Sequence, residues 1–222
     1  MIDIKQQIND VRRAVGSRVL EAGEARVVTV SQTYRGDLAD VWDACTNAER
    51  IPRWFLPISG ELRLGGHYQL EGNASGTVER CDPPHGFAAT WEFGGQVSWI
   101  EVHLTEQPAG QVELTLEHVA HIDDELWAQF GPGAAGMGWD GALLGLAIHL
   151  SGAPPLTPAE AVAWMGSDEG RQFNTLSSEQ WYGASVAAGT PAAEARAAAD
   201  RCLAAYTGVE PPPADGPRPD PV

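Results

Sequence analysis

Basic residues are scarce in this chain. Lys and Arg together number 14 against 30 Asp and Glu, a net charge of -16 at pH 7 over 222 residues. Both the stretch before Ser151 and the stretch after it are acidic. Such a surface repels phosphate backbones and anionic bilayers, so neither nucleic acid nor membrane is expected as a partner. Lys5 is the only lysine, which leaves no suitable residue for Schiff-base chemistry. Long apolar runs are also missing, and nothing approaches the roughly 20 residues of a membrane span. The opening "MIDIKQQINDVRRAVG" lacks the apolar centre of a secretion signal. Cysteine is limited to Cys45, Cys81 and Cys202. Their odd number and wide spacing exclude a disulfide framework or zinc knuckle and predict free thiols in the cytoplasm. There is no G-x-S-x-G, and no cysteine stands near a histidine suited to activate it. No cofactor and no metal is expected.

Hydrophobic periodicity supplies the organisation. Ile4, Ile8, Val11 and Val15 recur at helical spacing, which predicts an amphipathic helix within residues 1–25. "RVVTVSQTY", Arg26 to Tyr34, is β-branched and aromatic and reads as a strand. Asp37 is placed to cap a short helix, "LADVWDAC". Thr46 and Glu49 have capping-box spacing for a second, which Pro52 should keep short. From Ser59 to Ile122, strand-like segments alternate with turn signals about every ten residues, as in an antiparallel meander. Val112, Leu114, Leu116 and His118 share one face, and Glu113, Thr115 and Glu117 the other, so one side should be buried and one wet. Trp139, Leu143, Leu146 and Leu150 then predict a long helix. Residues 152–207 read as a helical extension and 208–222 as a Pro-rich, disordered tail.

The long helix opens on "GMGWDG", Gly136 to Gly141, which spells the dinucleotide fingerprint G-x-G-x-x-G. That motif works only when a strand runs directly into the turn and an acidic residue ends the next strand about 20 residues on. Here the nearest strand stops near Ile122 and "SGAPPLTPAE" stands where the next should be. A nucleotide site is therefore not expected. Each glycine inside a helix costs about 0.5–1 kcal/mol relative to alanine. The helix must gain from a bare surface, either by close packing or by open volume beneath it.

The order strand, two short helices, antiparallel strands, long helix resembles the activator of heat-shock protein 90 ATPase homologue-like family, in the START-like or SRPBCC superfamily. The words that carry the resemblance are "DLADVWDACTNAERIPRWF", "LRLGGHYQLEG", "GTVERCDPPHGFAATWEF" and "VELTLEH", within residues 26–151. The resemblance implies an α+β helix-grip fold, a curved antiparallel β-sheet wrapped around a long helix, with an apolar cavity between them. The superfamily includes lipid and hormone binders and polyketide cyclases, so the resemblance implies a cavity without fixing a reaction. The extension at 152–207 lies outside the common domain. It is expected to pack on the grip fold, cover the cavity mouth, or form a homodimer interface.

Candidate site residues follow from this frame. Trp54, Tyr68, Trp91, Met137 and Trp139, with Gly138 and Gly141, are expected to line a site for a flat hydrophobic molecule. Trp99 should lie on the opposite face. His118 is the best catalytic candidate, as a general acid/base or ligand hydrogen-bonder; the alternative is a satisfied core histidine. His118 and His121 form an H-x-x-H, but that spacing on a strand sends the side chains to opposite faces. Asp140 is read either as a cavity carboxylate with raised pKa or as a solvated helix residue. The expected function is binding of a small hydrophobic, aromatic or lipid-like ligand. A cyclase, dehydratase or hydrolase using the same cavity, and a co-chaperone-like protein-interaction module, are the alternatives.

Overall fold

A computed structural model describes residues 3–208; the tail beyond Gly208 lies outside the described residues. The chain runs α1 (Ile4–Asp10), β1 (Arg12–Leu20), β2 (Gly23–Arg35), α2 (Leu38–Thr46), a 3-10 turn (Ile51–Arg53), then β3 (Ile58–Gly60), β4 (His67–Leu70), β5 (Ser75–Asp82), β6 (Gly86–Phe93), β7 (Gln96–Gln107) and β8 (Gln111–Ala120). Five helices follow: α3 (Asp124–Phe130), α4 (Gly133–Leu150), α5 (Pro158–Met165), α6 (Asp168–Ala187) and α7 (Ala192–Thr207). The strands form one antiparallel sheet in the order β1-β2-β8-β7-β6-β5-β4-β3. From β2 to α4 this is the helix-grip order, with β1 added at one edge. α4 lies on the concave face.

Register places the faces. Val28, His118, Ile100 and Ala89 are successive partners across β2, β8, β7 and β6, and all face α4. Glu117 and Glu101 stand directly opposite each other on the outer face. Like charges in that position repel. Arg18 of β1 reaches across β2 to ion-pair with both. Trp99 is on this outer face, packed with Leu20, Ala25, Val27 and Val119.

Two sequence expectations change. The N-terminal helix ends at Asp10, and β1 takes residues 12–20. Val15 belongs to the strand, paired with Val28. Gly16 disfavours helix, while the β-branched run of β2 offers a complete ladder. The second short helix after α2 reduces to the 3-10 turn. Thr46 Oγ1 donates back to Trp42 O at 2.8 Å and does not cap; Asn47 Oδ1 accepts from Glu49 N at 2.8 Å instead. Pro52 has no N–H to extend the turn into a longer helix.

α4 is apolar nearly all round, and it is covered on two sides. Trp139, Ala142, Leu143 and Leu146 belong to the main core with the sheet. Leu144, one position round, packs with Ile4, Ile8 and Phe173 from α1 and α6. The extension therefore packs on the grip helix. A Cβ at Gly136 would lie 2.2 Å from the Trp181 indole of α6, and one at Gly145 would lie 2.2 Å from the Trp54 carbonyl oxygen. These glycines exist for close approach.

Candidate functional site: an apolar cavity under the grip helix

Between the concave sheet, α2 and α4 lies a cavity of about 340 Å³, within the size range of small-molecule sites. Trp42, Cys45 and Thr46, at i, i+3 and i+4 on α2, form one wall. Phe87, Ala89 and Trp91 alternate inward from β6, and Leu114 and Leu116 from β8. Trp139, Ala142, Leu143 and Leu146 of α4 close the top. The aromatic rings are ordered against each other. Trp54 and Phe55 stack at 5.5 Å, Phe55 and Trp139 lie near-parallel at 6.3 Å, and Trp91 meets Trp139 edge-on at 5.1 Å. Such pairs contribute about 0.5–1.5 kcal/mol each beyond burial.

Of the residues singled out from the sequence, Trp54, Tyr68, Trp91 and Trp139 line this cavity. Met137, Gly138 and Gly141 do not. Met137 is buried in the core outside the cavity wall. A Cβ at Gly138 would meet Tyr206 Oη of α7 at 3.2 Å, and Gly141 faces open space. The helical period of the motif carries its glycines round to the side away from the sheet. Sequence reading missed Trp42, Phe55 and the cavity faces of Cys45 and Cys81. The one-face spacing of Trp42 with Cys45 and Thr46 on a capped helix was the available signal for the first.

His118, also singled out from the sequence, does not line the cavity; it stands against Trp91 and Trp139 in a chain of hydrogen bonds. Trp139 Nε1–H donates to His118 Nδ1 at 3.0 Å. An indole nitrogen only donates, so Nδ1 must be the unprotonated acceptor and Nε2 carries the proton. Nε2 lies 2.8 Å from Ser98 Oγ, which in turn donates to Trp91 O at 3.1 Å. Both ring nitrogens are spent and the ring is neutral. Burial pushes its pKa from 6.5 to about 4. The histidine holds Trp139 and Trp91 in place. His121 lies beyond the end of β8, edge-on to Trp99 at 6.1 Å on the outer face. Among the described residues, no three metal-capable side chains cluster.

Asp140 is neither a cavity group nor a solvated one. It points from α4 away from the cavity, and Arg13 Nε of β1 contacts its two oxygens at 3.0 and 3.1 Å. Ser177 Oγ and Trp181 Nε1 donate to the same carboxylate. Both ion-pair side chains are almost fully buried, 3% and 1% exposed. Burial pushes the Asp140 carboxyl upward, while Arg13, Ser177 and Trp181 oppose that shift. Arg13 also donates to Ile8 O and Val11 O. One carboxylate thus joins β1, α4 and α6.

A curved antiparallel sheet closed over one long helix, with a hydrophobic cavity between them, defines a helix-grip protein of the SRPBCC type. Residues 37–151, just over half of the chain, match the model of the activator of Hsp90 ATPase homolog 1-like protein family, and the chain belongs to that family. No curated protein matches it. Among solved structures, it is similar to CalU16 from Micromonospora echinospora, with 31% identity over 81% of this chain and 99% of that one, TM-score 0.62. EF2215 from Enterococcus faecalis, a conserved protein of unknown function, is 14% identical over 80% of this chain and 91% of its own, TM-score 0.54. DynU16, a protein of the dynemicin biosynthetic locus, is 20% identical over 62% of this chain and 60% of its own, TM-score 0.50. The last two share the fold. Among the described residues, no helix is long and apolar enough to cross a membrane.

Proposed function

We propose that this protein binds a small, flat, apolar molecule in the cavity beneath α4, in the cytoplasm. The observation that carries the reading is the wall. Among the described residues, about 340 Å³ is lined by aromatic, aliphatic and thiol side chains and the hydroxyl of Thr46, with no carboxylate, amine, guanidinium or imidazole. Ligand apolar surface moved there from water gains about 25 cal/mol per Å². Stacked and edge-on rings on several sides favour a planar guest over a flexible chain. The catalytic alternative needs an acid/base group at the wall. His118, its candidate, has both nitrogens engaged in holding the wall itself. Free thiols at Cys45, Cys81 and Cys202 accord with a reducing compartment.

The test fills the space. Ala89 lines the cavity and is 2% exposed. Ala89→Phe should abolish binding of polycyclic aromatic ligands, read by quenching of tryptophan emission, while the thermal transition stays cooperative. Unchanged binding in a folded Ala89→Phe protein would place the ligand elsewhere and end the reading.

A further inference from the structure

The polar side-chain atoms of the cavity wall are few, and their partners can be followed one by one. Tyr68 Oη donates to Thr90 O at 2.7 Å, Trp54 Nε1 to Ala44 O at 3.0 Å, Thr46 Oγ1 to Trp42 O at 2.8 Å, and Trp139 Nε1 to His118 Nδ1 at 3.0 Å. Every hydroxyl proton and two of the four indole N–H groups are therefore spent within the protein. The other two belong to Trp42 and Trp91. Both residues line the cavity, and among the described residues neither indole donates to a protein group. Neither is sealed off, since the fully buried unpaired side-chain nitrogens are those of Arg13, His121 and Asn174. Cys45 and Cys81 add only weak S–H donors. Burial pushes the Cys45 thiol up to about 12, so it stays protonated and uncharged.

This inventory discriminates between guests. A charged guest would leave water for a wall with no counter-charge, which is heavily disfavoured. A pure hydrocarbon returns nothing to an indole N–H that it covers, which is also a cost. A planar guest with a strong in-plane acceptor avoids both. Trp42 packs edge-on against Phe87 at 6.3 Å, and Trp91 follows four residues along β6. At ~3.3 Å per residue Phe87 and Trp91 are roughly 13 Å apart along the strand, so the two indoles belong to different parts of the wall.

Resting on the ligand-binding reading above, we infer that Trp42 and Trp91 are specificity-determining donors, and that the ligand class is an uncharged fused-ring aromatic ketone whose carbonyl oxygen accepts from one of these indoles. Phenylalanine at either position keeps a ring in the wall and removes the donor.

The experiment compares fluorene, 9-fluorenone and fluorene-9-carboxylate by calorimetric titration into the wild-type chain, Trp42→Phe and Trp91→Phe. The carboxylate should not bind the wild type. In one of the two variants, fluorenone affinity should fall about 3- to 10-fold, the worth of one hydrogen bond. Fluorene affinity should hold or rise, because the N–H that fluorene leaves unpaired is gone, and retained fluorene binding also certifies the fold. In the wild type, the indole N–H resonance of that same tryptophan should shift with fluorenone and not with fluorene. This last measurement needs no variant. A fluorenone-to-fluorene ratio unchanged in both variants, no ketone-specific indole shift, or carboxylate binding as tight as fluorenone would overturn the inference while leaving the cavity reading intact. No binding of either neutral probe to the wild type would overturn both.

Discussion

The His118 hydrogen-bond chain makes stability depend on pH in a way that can be worked out. In the fold, Nδ1 accepts from Trp139, so a proton there removes that bond and places a charge beside Trp91 and Trp139. The unfolded ring titrates near 6.5 and the folded one near 4. Between those values the unfolded chain binds more protons, so stability is whole above pH 6.5 and is lost as pH falls toward 4. At ~1.4 kcal/mol per tenfold change in proton affinity, the loss at pH 4 is about 3 kcal/mol. Carboxylates elsewhere also titrate in this range, so the measurement must isolate the histidine. Urea unfolding of the wild type and of His118→Gln, whose side chain cannot titrate, should be compared at pH 7 and pH 4. The variant should be less stable at pH 7, and the gap between the two should shrink by about 3 kcal/mol at pH 4. A gap that is the same at both pH values, or an imidazole titrating near 6.5 by NMR in the folded wild type, would refute the assignment of a locked neutral tautomer.

Other outcomes follow from the same geometry. Asp140→Ala leaves the Arg13 guanidinium buried without its partner, and should cost about 3–5 kcal/mol in chemical denaturation. An Asp140→Ala protein within 1 kcal/mol of wild type would show that the pair is dispensable. Gly136→Ala places a methyl against Trp181 and should destabilise by about 1–3 kcal/mol through overpacking. Gly141→Ala meets nothing within 4 Å and should instead stabilise by about 0.5–1 kcal/mol, as alanine does in any unobstructed helix. The same sign for the two glycine variants would contradict the packing described for α4.

The elements were legible where one periodicity dominated. The alternation of Val112, Leu114, Leu116 and His118 placed that face of β8 against α4, and Trp91 followed Phe87 and Ala89 inward in the same way. Legibility failed where an element had two buried faces. α4 is apolar on the cavity side and on the α6 side, so its sequence does not say which glycines look where. Asp140 could not be read for a related reason. Its partners are 127 residues away in Arg13 and 37 and 41 residues away in Ser177 and Trp181, and no local pattern links them. Val15 was misplaced because Ile4, Ile8 and Val11 set up a helical spacing that it happens to continue. The pairing with Val28 that claims it is tertiary. His118 was placed on the correct face, but its tautomer is decided by Trp139 and Ser98 on two other elements.

The meeting of Arg13, Asp140, Ser177 and Trp181 separates two boundaries that usually coincide. Residues 37–151 are the unit that matches the family model. That unit alone would carry α4 with a carboxylate on one side and a groove at Gly136 shaped for an indole from outside it. The piece of chain that must fold cooperatively extends backward to Arg13 and forward to at least Trp181. An expression fragment cut at the family boundaries would therefore expose the solvent side of α4 as an apolar surface, and would be expected to aggregate. One buried ion pair, rather than the limits of the family match, sets where this chain can be cut.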